Sequence, residues 1–257
     1  VIAHTVHSRI ERRLLINYRI DPDRVAALLP ARFRPQLQLG WAVGGICLIR
    51  LGELRLPGFP KALGLSTENM AHRFAVEWDE QGEHKVGVYV TRRETNSRIS
   101  ALAGGKVFSG SYDLARFVVE DRQSRLRIEV SGNDANKLVS VTAHEAAELG
   151  GELFSSPEEA LAFFRGSPRS FSPGQRRDSV DCVRLEAELV KACPARIEEM
   201  CSSFFDNEEL FPPGSCFLDS GLVMRDIEAR WSAEPRTKPA HRRAPRALSP
   251  GKEAAAR

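Results

Sequence analysis

The stretch WAVGGICLIRLGEL, residues 41–54, is apolar at most positions and carries the pair Gly44–Gly45. It is shorter than the roughly 20 apolar residues of a membrane helix, and no longer apolar run occurs in the chain. An apolar run with an internal glycine pair predicts a buried, bent strand. Such a strand constrains everything around it, because its backbone N–H and C=O groups need partners on both sides.

Candidate partners are plentiful. RRLLINYRI has the β-branched and aromatic content of a strand, and FRPQLQL alternates. MAHRFAVEWD and HKVGVYVTR flank the turn signal DEQGE and read as a hairpin. SYDLARFVVED, SRLRIEVSG and NKLVSVTAHEA add three more strands. DCVRLEAELVK and SCFLDSGLVMRDIEARW fit helix or strand by apolar count; their lengths and turns favour an antiparallel sheet. Helices are few. DPDRVAALLP has Asp21 as cap, Pro22 at the first helical position and Pro30 as stop. SPEEALAFFRG has Ser156, Pro157, two first-turn glutamates and Gly166 in the corresponding places. SRISALAGG predicts one or two helical turns.

The chain is 42% hydrophobic and 28% charged, an ordinary globular balance. Its net charge of +3 is uneven. Residues 232–257 hold seven Lys or Arg and two Glu, a net of +5, so residues 1–231 sum to −2. The body therefore gives no electrostatic reason to expect nucleic acid. The basic, proline-rich segment 232–257 lacks core-forming residues and is expected to be a disordered tail after a single domain, residues 1–231. Five cysteines without C-x-x-C spacing suggest buried thiols in a reducing compartment, so the expected location is the cytoplasm, with no membrane partner. No metal or cofactor is expected: dinucleotide, phosphate-loop, nucleophile-elbow and zinc-helix motifs are all absent.

The richest stretch is GVYVTRRETNSRISALAGG, residues 87–105. Strand alternation puts Val86, Val88, Val90 and Arg92 on one face and Tyr89, Thr91 and Arg93 on the other. An arginine ending an apolar row meets solvent or anchors an anion, which makes Arg92 a ligand-binding candidate. Arg98, at a helix start, is a second, with an ion pair to Glu68 or Glu94 as its plain alternative. Glu68 and His72 share a strand face in ENMAHRF and suit general acid–base work or a structural hydrogen-bond network. Tyr112 suits either ligand contact or packing.

Taken in order, DPDRVAALLP, ENMAHRFAVEW, GVYVTRRETNSRISALAGG, FSSPEEALAFF, CSSFFDNEELFPPGS and VMRDIEARW resemble the YqjF-like family of the acetoacetate decarboxylase-like superfamily. The resemblance runs from residue 13 to about residue 231. It implies one α+β domain: a curled antiparallel β-sheet, partly closed into a barrel or cone around a central pocket, with short helices outside. It also implies a small organic acid or oxygenated metabolite as partner. STEN, with Glu68, is similar to the loop bearing one active-site glutamate of the decarboxylase. The catalytic lysine of that enzyme follows Tyr-Pro and precedes a second lysine, whereas GGKVFSGSYDLARF offers only Lys106. A Schiff base is therefore not expected. Three classes stay open: a lyase or decarboxylase-like enzyme without a Schiff-base lysine, a non-catalytic binding protein, and a structural or interaction protein. A homo-oligomer is allowed.

Overall fold

The computed structural model describes residues 5–103, 111–122, 124–174, 179–187 and 191–237. Its strands are β1 (Thr5–Ile20), β2 (Arg34–Pro35), β3 (Leu37–Gln38), β4 (Trp41–Arg55), β5 (Leu65–Glu80), β6 (Glu83–Thr95) and β7 (Asp113–Arg122). They continue as β8 (Arg125–Gly132), β9 (Lys137–Glu145), β10 (Arg169–Pro173), β11 (Val180–Ala187), β12 (Cys193–Ser202) and β13 (Cys216–Thr237). Three short helices join them: α1 (Pro22–Leu28), α2 (Arg98–Ala103) and α3 (Pro157–Arg165). The fold is α+β, with all the strands in one curled, mixed but mainly antiparallel sheet. None of these helices is long and apolar enough to cross a membrane.

The run at residues 41–54 forms β4, paired antiparallel with β1 on one side and β5 on the other. Its glycines are required by close approach. A Cβ on Gly45 would stand 2.2 Å from the Ile16 carbonyl oxygen. The turn joining β5 to β6 has Gln81 and Gly82 at positive φ (55° and 81°), as a tight two-residue hairpin demands. Asp21 and Ser156 cap α1 and α3 through backbone N–H groups of Asp23 and Glu159.

The sheet curls into a ring, but it is not the barrel expected from the resemblance. In a barrel each strand has two neighbours. Here β6 and β13 each have three. From β6 the sheet runs back to β13 by two routes, through β10 and β11 or through β7, β8, β9 and β12. β6 pairs parallel with β10 at Val88 and Tyr89, and with β7 at Glu94 and Thr95. β13 pairs with β12 at Gly221–Val223 and with β11 beyond Ala229. The reason is length: β13 has 22 residues, more than either neighbour can cover on one edge. Its pairing reaches Thr237, six residues into the segment expected to be a tail; residues 238–257 lie outside the described residues.

β1, β4 and β5 close both rings and separate two cores, which is why β4 is apolar on both faces. Leu14, Ile16, Ile46, Leu48 and Phe74 pack into the larger core, with Phe205 stacked on Tyr18 at 4.2 Å. Leu15, Val43, Cys47, Ala75 and Leu161 of α3 pack into the smaller one.

Candidate small-molecule site

A cavity of about 140 Å³ lies inside the shorter ring, on the smaller-core face of β1, β4 and β5. Two β-bulges decide which side chains enter it. In β6, Arg92 pairs with His72 and Val90 with Arg73, which leaves Thr91 as the extra residue. The bulge reverses the alternation beyond it. Arg93, rather than Arg92, therefore continues the Val88–Val90 row into the cavity. In β1, Glu11 is the extra residue against β4, and Arg13 points into the cavity while Arg12 points to the opposite face.

Three arginines thus converge on an apolar chamber walled by Cys47, Ile49, Val90, Val183, Leu185 and Trp231. Among the described residues, none of the three pairs with a carboxylate and no Asp or Glu lines the chamber. Arg73 is 4% exposed. Its Nη2 donates to Asn17 Oδ1 at 3.0 Å, its guanidinium lies 4.4 Å from the Phe164 ring centroid, and its Nε has no partner. Burial pushes its pKa down to about 10, opposed by Cys47 and helped by Arg13, so it stays charged at neutral pH. Arg13 Nε is also buried without a partner. Arg93 donates from Nε to Ser172 Oγ (3.0 Å) and from Nη2 to Ser170 Oγ (2.9 Å). Arg73 is buried and Arg13 and Arg93 are half-buried, and guanidiniums so placed without a carboxylate partner leave positive charge unanswered, which is the condition for binding an anion.

Of the residues singled out in sequence, Tyr112 lines the cavity, with its ring 5.7 Å from the Arg93 guanidinium. Glu68 and His72 share the other face of β5 but have separate partners. Glu68 Oε2 meets Arg12 Nη2 at 2.6 Å, and Oε1 meets Arg50 Nη1 at 3.1 Å. His72 Nδ1 lies 3.9 Å from Glu94 Oε2, and Arg92 Nε lies 2.9 Å from Glu94 Oε1. Arg98 is exposed on α2. Lys106 lies outside the described residues. Arg13, Arg73 and Arg93 were not singled out. The available signal was Arg73, which falls between Ala71 and Ala75 on an apolar alternation.

His72 and Glu94 are fully buried, and neither side chain has a well-formed hydrogen bond. Burial pushes Glu94 up to about 7 despite Arg92, with Asp113 adding to the rise; burial pushes His72 down to about 3, with Arg92 adding to the fall. The folded protein thus holds a proton on Glu94 that the unfolded chain releases above its ordinary value of 4.5. Stability from this group is present below that value and is lost as pH rises through about 7. His72 acts in the opposite sense: its contribution is full above 6.5 and is lost as pH falls toward 3. A Glu94→Gln variant, neutral throughout, should gain stability relative to the parent as pH rises from 4.5 to 7. Urea midpoints across that window measure the gain; a constant difference between the two proteins would contradict a buried, protonated Glu94.

The family described as an uncharacterized conserved protein (DUF2071) matches residues 7–165, more than half of the chain. The chain belongs to the DUF2071 family. That match takes in β1, β4, β5 and β6, and with them Arg13, Arg73 and Arg93. No curated protein matches the chain. Among solved structures, the chain is similar to an acetoacetate decarboxylase from Legionella pneumophila, at 12% identity and TM-score 0.60, over 91% of this chain and 87% of that one. It is also similar to an acetoacetate decarboxylase-like enzyme from Sphingomonas wittichii, at 13% identity and TM-score 0.58, over 91% and 92%. A third is the enduracididine biosynthesis enzyme MppR complexed with pyruvate, at 12% identity and TM-score 0.55, over 92% and 90%. At such identities the likeness is one of fold.

Proposed function

We propose that the protein is a small-molecule pocket protein that holds a small carboxylic acid with its carboxylate on Arg13, Arg73 and Arg93 and its carbon chain against the apolar wall. The observation that carries this reading is the meeting of three arginines in one chamber where, among the described residues, none of them pairs with a carboxylate and no acidic residue forms the lining. The chamber is close in size to an engineered cavity of about 150 Å³ that takes up benzene. Its described polar groups bind and orient an anion; the buried acid–base pair of Glu94 and His72 faces the other core. Binding is therefore the favoured function, ahead of a lyase-like reaction on the bound acid. The resemblance of the fold to a decarboxylase and to a pyruvate-bound enzyme is consistent with an organic-acid ligand.

Hexanoate and hexanamide test the reading, because they match in shape and differ in charge. Calorimetric titration should find the acid tighter by on the order of tenfold to a hundredfold, the worth of a charge-assisted hydrogen bond. Equal affinity, or binding of neither, would refute it.

A further inference from the structure

A second cavity, of about 100 Å³, adjoins the first. Its own walls are Leu15 of β1, Leu161, Phe164 and Arg165 of α3, Ala187 of β11 and Met224 of β13, apolar but for Arg165 at the end of the helix. Arg13 and Arg73 line both cavities, as do Val88, Ser167, Pro168 and Leu185. Arg93 and Trp231 line only the first. The two guanidiniums therefore stand at the boundary between two largely apolar chambers, not at the end of one.

That placement has a chemical consequence. A head group held at the end of a chamber suits a linear chain, since all of its carbon lies on one side. A head group held between two chambers suits carbon on both sides. We infer that the protein selects α-branched carboxylates, which place one arm in the Cys47–Trp231 chamber and the other in the chamber beneath α3. This rests on the carboxylate-binding reading above and specifies the shape of its ligand. Arg73 takes part in both features: its guanidinium stacks on Phe164, a wall of the second chamber, while its unpartnered Nε leaves a donor for the carboxylate. Each arm removes its own apolar surface from water, so filling both chambers adds affinity that a single chain confined to one chamber cannot gain.

The isomers 2-propylpentanoate and octanoate isolate this point. They have the same atoms and charge and differ only in where the carboxylate sits. Titration of the full chain should find the branched isomer about tenfold or more tighter. Leu161→Phe and Ala187→Leu narrow the second chamber from α3 and from β11, and each should bring the ratio of the two affinities toward one. Using two variants keeps the test open if one of them folds poorly, and circular dichroism identifies the folded one. If octanoate and hexanoate bind but the branched isomer binds no tighter, this inference fails and the carboxylate reading stands. If no acid binds, both fail. A preference that survives in both narrowed variants would also overturn the two-chamber assignment.

Discussion

Glu68→Leu should lower the melting temperature by about 6–12 °C, the largest stability loss expected of a single polar substitution in this protein. Arg12 and Glu68 form a buried ion pair, with side chains 3% and 8% exposed and a contact of 2.6 Å. Removing one partner of such a pair leaves an uncompensated buried charge and costs about 3–5 kcal/mol. Asp121 lies 3.7 Å from the other amino group of Arg12 and holds the loss near the lower figure. Arg50 loses a contact too, but it keeps Glu11 at 2.6 Å and is partly exposed. The backbone at Glu68 exchanges hydrogen bonds with Asn96, so the strand itself should keep its place. Adding Arg12→Met to Glu68→Leu removes both charges and should recover most of the lost stability. Thermal melts of the single and double variants measure this. A Glu68→Leu protein that melts with the parent and loses only an activity would point instead to the acid–base role that its position in STEN suggests.

Arg73→Met should do the reverse, weakening carboxylate binding by on the order of tenfold to a hundredfold while raising the melting temperature by about 2–4 °C without ligand. The opposing terms differ in size. Asn17 Oδ1 loses its donor, a loss on the order of 1 kcal/mol. Against this stands the desolvation of a buried ion, several kcal/mol even after relaxation, with Arg13 adding repulsion. Methionine has the length and apolar character to stay against Phe164. A binding group kept at the expense of stability is expected where function requires unanswered charge. Melts and hexanoate titration on the same preparation test both halves. A large fall in melting temperature would show Arg73 to be a structural residue.

Much of the architecture can be read from local pattern. Gly45 marks a strand that another backbone approaches closely, and Asp21, Pro22, Ser156 and Pro157 mark where α1 and α3 begin. These signals are legible because capping, proline and glycine preferences act over a few residues. The pairing of Glu68 with Arg12, 56 residues away, leaves no such trace. The same holds for the branched sheet: nothing local in β13 says that its edge passes from β12 to β11.

The cavity marks the boundary most clearly. Alternation in GVYVTRR establishes that one arginine must follow the valine row, and by strict period two that arginine is Arg92. Only the tertiary structure decides that it is Arg93, because the extra residue at Thr91 exists through the register with β5 and shifts every later side chain to the opposite face. The same applies to Arg13 beyond Glu11. Sequence alone therefore determined the fold class, the helix limits and the presence of arginines at the ends of apolar rows. Long-range strand register decided which of them met in the cavity without a carboxylate partner among the described residues, since a one-residue slip is invisible to local preference yet exchanges core for cavity.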